Sequence, residues 1–347
     1  MMVKHTVCPS CSAGCGVNLI EIEGSPVGTY PYKRHPVNEG KTCRPGRECH
    51  EIPVKERITS PAIKKSGALT GAGWEDALSL LADKLSSTSP EQISVLATGT
   101  LTDEEAAKLG ELTEKLGINA GVLTGFPEFS YPEVKIEKIK DYKSIAVIGD
   151  PLTCAPLIGR RIFHAAERGA EVRSYDTRDS TRMSLNFNSH IRFSGAEELV
   201  GALEELPEGS LLIITPEIPG VIGSVFELAD RKGLDVIPIL EDFNTRGVMK
   251  HLKPLSEPPA EAEIVWLIDP GAEADHEIRS DFLVLQSIRR GEYSPDVFIP
   301  TAAWCEKSGS YTNALGYTQR LEPALPRPAG VLTDGEIFER ISDYLER

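Results

Sequence analysis

What the chain lacks narrows its class before any motif is considered. No apolar run approaches the roughly 18 to 20 residues that span a bilayer, and the first residues lack the basic, apolar and small-residue segments of a secretory signal. A cytoplasmic location without membrane insertion is the expectation. An excess of positive charge is also missing, since 37 Lys and Arg stand against 52 Asp and Glu, a formal net charge of −15. Such a field repels nucleic acid and anionic membranes, so partners are expected among proteins and small molecules. Internal repeats and low-complexity tails are absent, which excludes solenoids and disordered arrays. What remains, 347 residues with 40% hydrophobic and 26% charged content, is long enough for two or three subdomains.

Cysteine is present in number and unevenly placed. Of seven, Cys8, Cys11 and Cys15 fall in CPSCSAGC, and Cys43 follows after 27 intervening residues. An odd count with this clustering makes a poor disulfide framework, and metal ligation or thiol chemistry is the better reading. Three thiolates on one tight loop with a distant fourth suit the corners of a [4Fe-4S] cubane. Structural zinc usually draws on two short pairs, and the fourth cysteine here has no C-x-x-C partner, although Cys49 and His50 lie near it. Zinc and unligated thiols stay open as alternatives. Cys49, Cys154 and Cys305 read as small buried hydrophobes.

The segment 17–22, then a Gly24-Ser25 turn and a return strand at 26–30, reads as a small β unit carrying the cysteines. Beyond it, compact apolar strands at 94–98, 144–149, 171–175, 210–215, 234–240 and 263–269 alternate with helical stretches. That alternation implies βαβ units and mainly parallel, buried sheets. Thr102 and Glu105 form a capping box for a helix over 103–116, stopped by Gly117, and a second helix is predicted over 156–168, stopped by Gly169. Residues 253–262 and 322–330 read as loops. The fold class expected is α/β: a cluster domain over 1–66, a discontinuous α/β domain over 67–142 and 235–347, and an inserted Rossmann-like domain over 143–234.

CPSCSAGCG (8–16), HPVNEGKTC (35–43), RITSP (57–61) and GWEDAL (73–78) together resemble the start of molybdopterin-dependent oxidoreductases, with formate dehydrogenase catalytic subunits similar. VIGDP (147–151), RRI (160–162) and SYDTR (174–178) resemble that family's third domain, where a Rossmann-type turn and a D-x-R signature bind pterin dinucleotide. NTRG (244–247) and the stretch 295–320, including EKSGSYTN, resemble its second domain, and also the large iron-sulfur subunit of NADH dehydrogenase. The resemblance implies a [4Fe-4S] cluster on Cys8, Cys11, Cys15 and Cys43, passing electrons between a bis-pterin tungsten or molybdenum site and a partner protein. It also nominates Asp150, Asp176, Arg178 and Lys307 as pterin contacts. The residues alone read more blandly, Asp176 and Arg178 as a helix cap or a mutual pair and His164 as a surface side chain.

Departures from the family pattern point away from a complete enzyme. Where the family places a cysteine, selenocysteine or serine metal ligand, residues 121–144 contain no cysteine, and Ser130 is the only hydroxyl to nominate. Pro45 stands where a lysine often bridges cluster and pterin, and proline brings neither cation nor donor. Asp150 puts a carboxylate at the turn where a pyrophosphate would sit. The chain ends at Arg347 after a helix, without the family's pterin-binding β-barrel; one of the formylmethanofuran dehydrogenase subunits is similar in leaving that barrel to another polypeptide. The expected function is therefore electron relay through one [4Fe-4S] cluster, docked with other redox subunits. An active split enzyme carrying molybdopterin guanine dinucleotide with tungsten or molybdenum is the alternative, and a scaffold with a structural metal is the alternative of another class.

Overall fold

The computed structural model describes residues 1–187, 189–259, 262–268 and 277–346. Three strands, Met2–Val7, Gly16–Ile22 and Ser25–Pro31, form an antiparallel sheet with the second in the middle. Their register pairs Val7 with Gly16, so residues 8–15 are the loop joining two neighbouring strands. Cys43 follows on the far side of the sheet's last strand, at the N-cap of the short helix Arg44–Glu48. The Thr29 hydroxyl holds that helix to the strand, donating to the carbonyls of Gly46 at 2.9 Å and Arg47 at 2.7 Å.

The largest sheet runs, in spatial order, Lys253–Leu255, Asn119–Leu123, Ile93–Ala97, Ile264–Ile268, Phe282–Ser287, Val297–Pro300, Ala62–Lys65 and Ala68–Gly71. The first six are mutually parallel and the last two form an antiparallel hairpin at the edge. Ile93–Ala97 and Ile264–Ile268 are buried at every position, as strands covered on both faces must be. The helices Trp74–Ser87, Asp103–Leu116 and Asp334–Leu345 supply one cover, and Trp266 meets Phe338 edge-on at 5.7 Å. The capping box on Asp103–Leu116 forms as expected, Thr102 Oγ1 accepting the Glu105 amide at 3.1 Å and Glu105 Oε2 the Thr102 amide at 3.0 Å.

A second sheet is wholly parallel, in the order His190–Arg192, Glu171–Asp176, Ser144–Ile148, Leu211–Ile214, Asp235–Pro238. All five strands run the same way, but the order in which they are added reverses between Ser144–Ile148 and Leu211–Ile214, and at such a switch point the crevice beyond the strands' carboxyl ends is the usual ligand edge. The α/β fold with parallel-rich sheets is as the sequence implied. Two details differ. Residues 62–66, assigned by sequence to the cluster unit, belong to the hairpin that completes the large sheet. Lys253–Leu255, read as loop, is an edge strand held by Asn119–Leu123. Asp269, the last residue of the strand expected over 263–269, and Ala260 and Glu261 of the loop expected over 253–262, lie outside the described residues.

Candidate metal centre

The cysteine loop is fastened from behind by residues distant in sequence. The Cys8 amide donates to the Cys15 carbonyl at 2.7 Å and closes the loop. His35 Nδ1 accepts the Gly16 amide at 3.1 Å while its Nε2 meets Gln319 Oε1 at 2.7 Å, so the proton resides on Nε2. Asn38 bonds the amide and the carbonyl of Gly16, and Asn313 and Gln319 donate to the carbonyls of Ala13 at 2.8 Å and Gly14 at 2.9 Å. Leu240 donates its amide to the Ser12 hydroxyl at 3.0 Å, and Trp304 Nε1 reaches the Val7 carbonyl at 2.9 Å. HPVN and the YTN and TQR segments thus act as clamps on the loop. Sequence reading noticed these motifs as resemblance and missed what their side chains do.

The four thiols share one electrostatic environment. Burial pushes the Cys11 and Cys15 thiols up, and the neighbouring sulfurs add to it: Cys8 and Cys43 act on Cys11, and Cys11, Cys8 and Cys43 act on Cys15. Burial also raises Cys43, against the Gly46 amide. Cys8 is pulled down to about 7, foremost by the hydrogen bond of the buried Cys49 thiol. The amides of Ser10, Ala13 and Gly46 bond to the sulfurs of Cys8, Cys11 and Cys43. Four neighbouring thiols whose ionised forms repel one another suit a metal group, which deprotonates its ligands and offsets the repulsion. Gly46 keeps the space open, since a Cβ there would lie 3.6 Å from both Cys43 Sγ and Cys8 Sγ and 2.8 Å from Thr42 Oγ1. Among the described residues no His, Cys, Asp and Glu side chains converge tightly enough to hold one metal ion. A lone zinc draws its ligands in to bonds of about 2.3 Å, whereas a multi-iron cubane takes its sulfurs at wider corners. Four neighbouring thiols are the donor type that such a cluster takes.

The crevice of the five-stranded sheet does not present such an opening. Gly149 leaves its strand at φ 91°, where a Cβ would strike Thr215 Oγ1. Asp150, 2% exposed, then accepts from the Leu152 amide at 3.2 Å, the Thr153 hydroxyl at 3.1 Å and the Arg182 amide at 3.0 Å. Its own amide donates to Glu217 Oε2 at 3.3 Å. Asp176 is fully buried and receives Arg178 through the amide at 2.9 Å, Nε at 2.7 Å and Nη2 at 2.7 Å. Arg178 Nη2 also reaches Glu217 at 3.1 Å. Asp176 and Arg178 therefore pair with each other, with no helix to cap. The donors that would meet a pyrophosphate are taken by Asp150, Asp176 and Glu217, the last of which sequence reading did not single out. A pterin dinucleotide phosphate does not fit this crevice as it stands.

Lys307, expected as a pterin contact, lies elsewhere. Its Nζ is buried between Glu105 Oε2 and Asp334 Oδ2, each at 2.6 Å, which ties the loop after Trp304–Glu306 to the starts of two helices. Ser130 is exposed, in a segment whose Phe129 and Tyr131 rings pack on Phe226. Cys154 is half-buried, whereas Cys49 and Cys305 are buried as expected. Arg57 stands out on the large sheet's side: Nη2 pairs with Glu306 at 2.8 Å, yet its buried Nε and Nη1 have no partner.

Residues 1–54 match the Molybdopterin oxidoreductase Fe4S4 domain, and residues 57–197 match Molybdopterin oxidoreductase. The chain belongs to the molybdopterin oxidoreductase family. This family's cofactors are a [4Fe-4S] cluster and molybdopterin. Over 195 residues, half of this chain and 28% of the relative, the family member is 35% identical to F420-dependent formate dehydrogenase 1 subunit alpha of Methanococcus maripaludis. It is 26% identical to an NADH-quinone oxidoreductase subunit from Rickettsia conorii, covering 99% of this chain and 56% of that one. The chain thus spans about a quarter to a half of the length of these curated relatives, both subunits by name. Its fold is shared with a chain of the formyltransferase/hydrolase complex (FhcABCD) from Methylorubrum extorquens, at TM-score 0.56 and 15% identity, covering 83% of this chain and 99% of that one. Among the described residues no helix is long and apolar enough to cross a membrane.

Proposed function

We propose that this family member is an iron-sulfur relay subunit of a formate- or formylmethanofuran-dehydrogenase-like complex. In this reading Cys8, Cys11, Cys15 and Cys43 hold one [4Fe-4S] cluster, which when bound supplies single-electron transfer. The chain's own residues fix the thiolates, exclude water from Cys8 and Cys15, and aim the Ser10, Ala13 and Gly46 amides at sulfur, a lever on reduction potential. No acid, base or nucleophile is needed. Other redox subunits are its partners, and a reducing cytoplasm is the compartment that keeps such thiols unpaired.

The observation that carries relay over catalysis is the carboxylate-filled crevice around Asp150, Asp176 and Glu217. A second reading, a split tungsten or molybdenum bis-pterin enzyme with its barrel on another subunit, is favoured by Arg57, whose two buried orphan donors suit an anionic group. Metal analysis of the anaerobically purified protein separates them. Relay predicts about four irons and four sulfides per chain without extractable pterin. Stoichiometric pterin with tungsten or molybdenum would sink the relay and leave the split enzyme, and zinc without iron would leave a structural scaffold.

A further inference from the structure

We propose that the surface over Cys43 is the docking face for an acidic one-electron redox protein; this deepens the relay reading and rests on it. Of the four cluster thiols Cys8 and Cys15 are buried, while Cys11 and Cys43 are half-exposed, so electrons enter or leave most directly on the Cys11 and Cys43 side. Charge is reversed there. Residues 31–51 hold five of the chain's 37 basic residues, Lys33, Arg34, Lys41, Arg44 and Arg47, against three of its 52 acidic ones, Glu39, Glu48 and Glu51. All five are exposed; Glu39 is already paired with Arg161, and Arg44 with Glu48 at 2.9 Å, so Lys33, Arg34, Lys41 and Arg47 carry the positive face. Backbone contacts make the group one patch: the 32–41 turn closes on itself through His35 to Tyr32, Glu39 to His35 and Lys41 to Asn38, and Gly40 lies against the Lys33 backbone.

Apolar surface accompanies the charge. Seven of the eight large hydrophobic side chains exposed among the described residues fall within residues 1–54, among them Tyr30 at 44% and Val54 at 51%. Thr29, next to Tyr30, is bonded to the helix that follows Cys43, which holds this strand to the segment that carries Arg44 and Arg47, with the Tyr30 ring on the strand's other face. Exposed apolar area with a charged rim is the make-up of an interaction face. The chain as a whole is strongly negative, so an acidic partner is repelled by most of it and drawn to this patch. The field then orients the partner with its redox group toward Cys43. In each encounter the reduced partner loses one electron and the cluster gains it, with no bond made or broken and no proton moved.

The test uses the full chain with its cluster and follows cluster reduction by stopped-flow absorbance, with a reduced acidic [2Fe-2S] ferredoxin as probe and reduced methyl viologen, a small cation, as control. In the triple variant Lys33→Glu, Arg34→Glu, Lys41→Glu the ferredoxin rate constant is expected to fall about tenfold or more. The wild-type rate should also fall as ionic strength rises from about 0.05 to 0.5 M. The variant's cluster EPR signal should persist, and viologen should reduce it at least as fast as wild type. Reversing equal charge elsewhere, at Lys65, Lys115 and Arg231, should leave the ferredoxin rate within about twofold. An unchanged rate in the first variant, or equal losses in both, overturns the docking face. A wild-type protein with no cluster signal overturns the relay reading instead, so the two failures are told apart.

Discussion

The cysteine loop and the crevice of the five-stranded sheet both follow the end of a β-strand, and they spend their backbone donors in opposite ways. In the loop, the Ser10, Ala13 and Gly46 amides go to sulfur, while Asn38, Asn313, Gln319 and His35 grip the backbone from behind. In the crevice, the amides of Asp150, Leu152, Arg178 and Arg182 all go to the chain's own carboxylates. In the relay reading, one site gathers thiols for a metal group it receives. The other carries its own anions where a guest's would lie.

The harshest way to break this contrast is to remove a thiolate from the first site. Cys15 is buried, and its sulfur interacts with those of Cys11, Cys8 and Cys43, so Cys15→Ser should abolish cluster retention. Iron per chain and the low-temperature EPR signal of the reduced protein would both drop to background. Full iron content in the variant would mean that the cluster, if any, uses other ligands.

Next in size is the ion pair that seals the second site. For Asp176, burial alone would raise the pKa, yet the hydrogen bonds and charge of Arg178 outweigh it and hold the carboxyl below its usual range. A folded-state pKa below the unfolded one gives stability that is present above about pH 4 and lost as pH falls through the folded value. Asp176→Asn should therefore cost about 1.5–3 kcal/mol at neutral pH, the size of a charged hydrogen-bonded partner. The gap between variant and wild type should close in urea titrations below about pH 4. A gap that stays constant with pH would show that Asp176 acts through shape and not charge.

How much of this was legible in sequence follows from the range of the interactions involved. The grouping of the four cysteines could be read because their spacing is written in one short stretch of chain, and the central strands because burial on both faces writes uninterrupted apolar runs. Lys307 could not, since a lysine in a polar motif looks the same whether it meets a cofactor or closes a buried triad. One of its partners, Glu105, lies 202 positions away. Lys253–Leu255 carries a proline and only three residues, so its strand character comes from the neighbour it pairs with. The clamps were visible as motifs but not as clamps, because His35 and Gln319 meet across 284 positions. Asp150 stands between these cases: its repulsion of a phosphate was readable, but not the three donors that hold it.

Those donors make Asp150 the subtlest test of the comparison. As N-cap of Pro151–Cys154 it should cost about 0.5–2 kcal/mol on replacement by alanine, a modest fall in thermal midpoint. The more telling measurement is calorimetric titration with pyrophosphate. Wild type should show no binding, because Asp150 and Glu217 already hold the amides and the Arg178 guanidinium. Asp150→Ala combined with Glu217→Gln releases the Leu152 and Arg182 amides and removes both charges that face the turn, so binding should become measurable. Binding by wild type would mean that the carboxylates swing aside for a phosphate, and the crevice would then have to be counted with the cysteine loop as a site waiting for its guest.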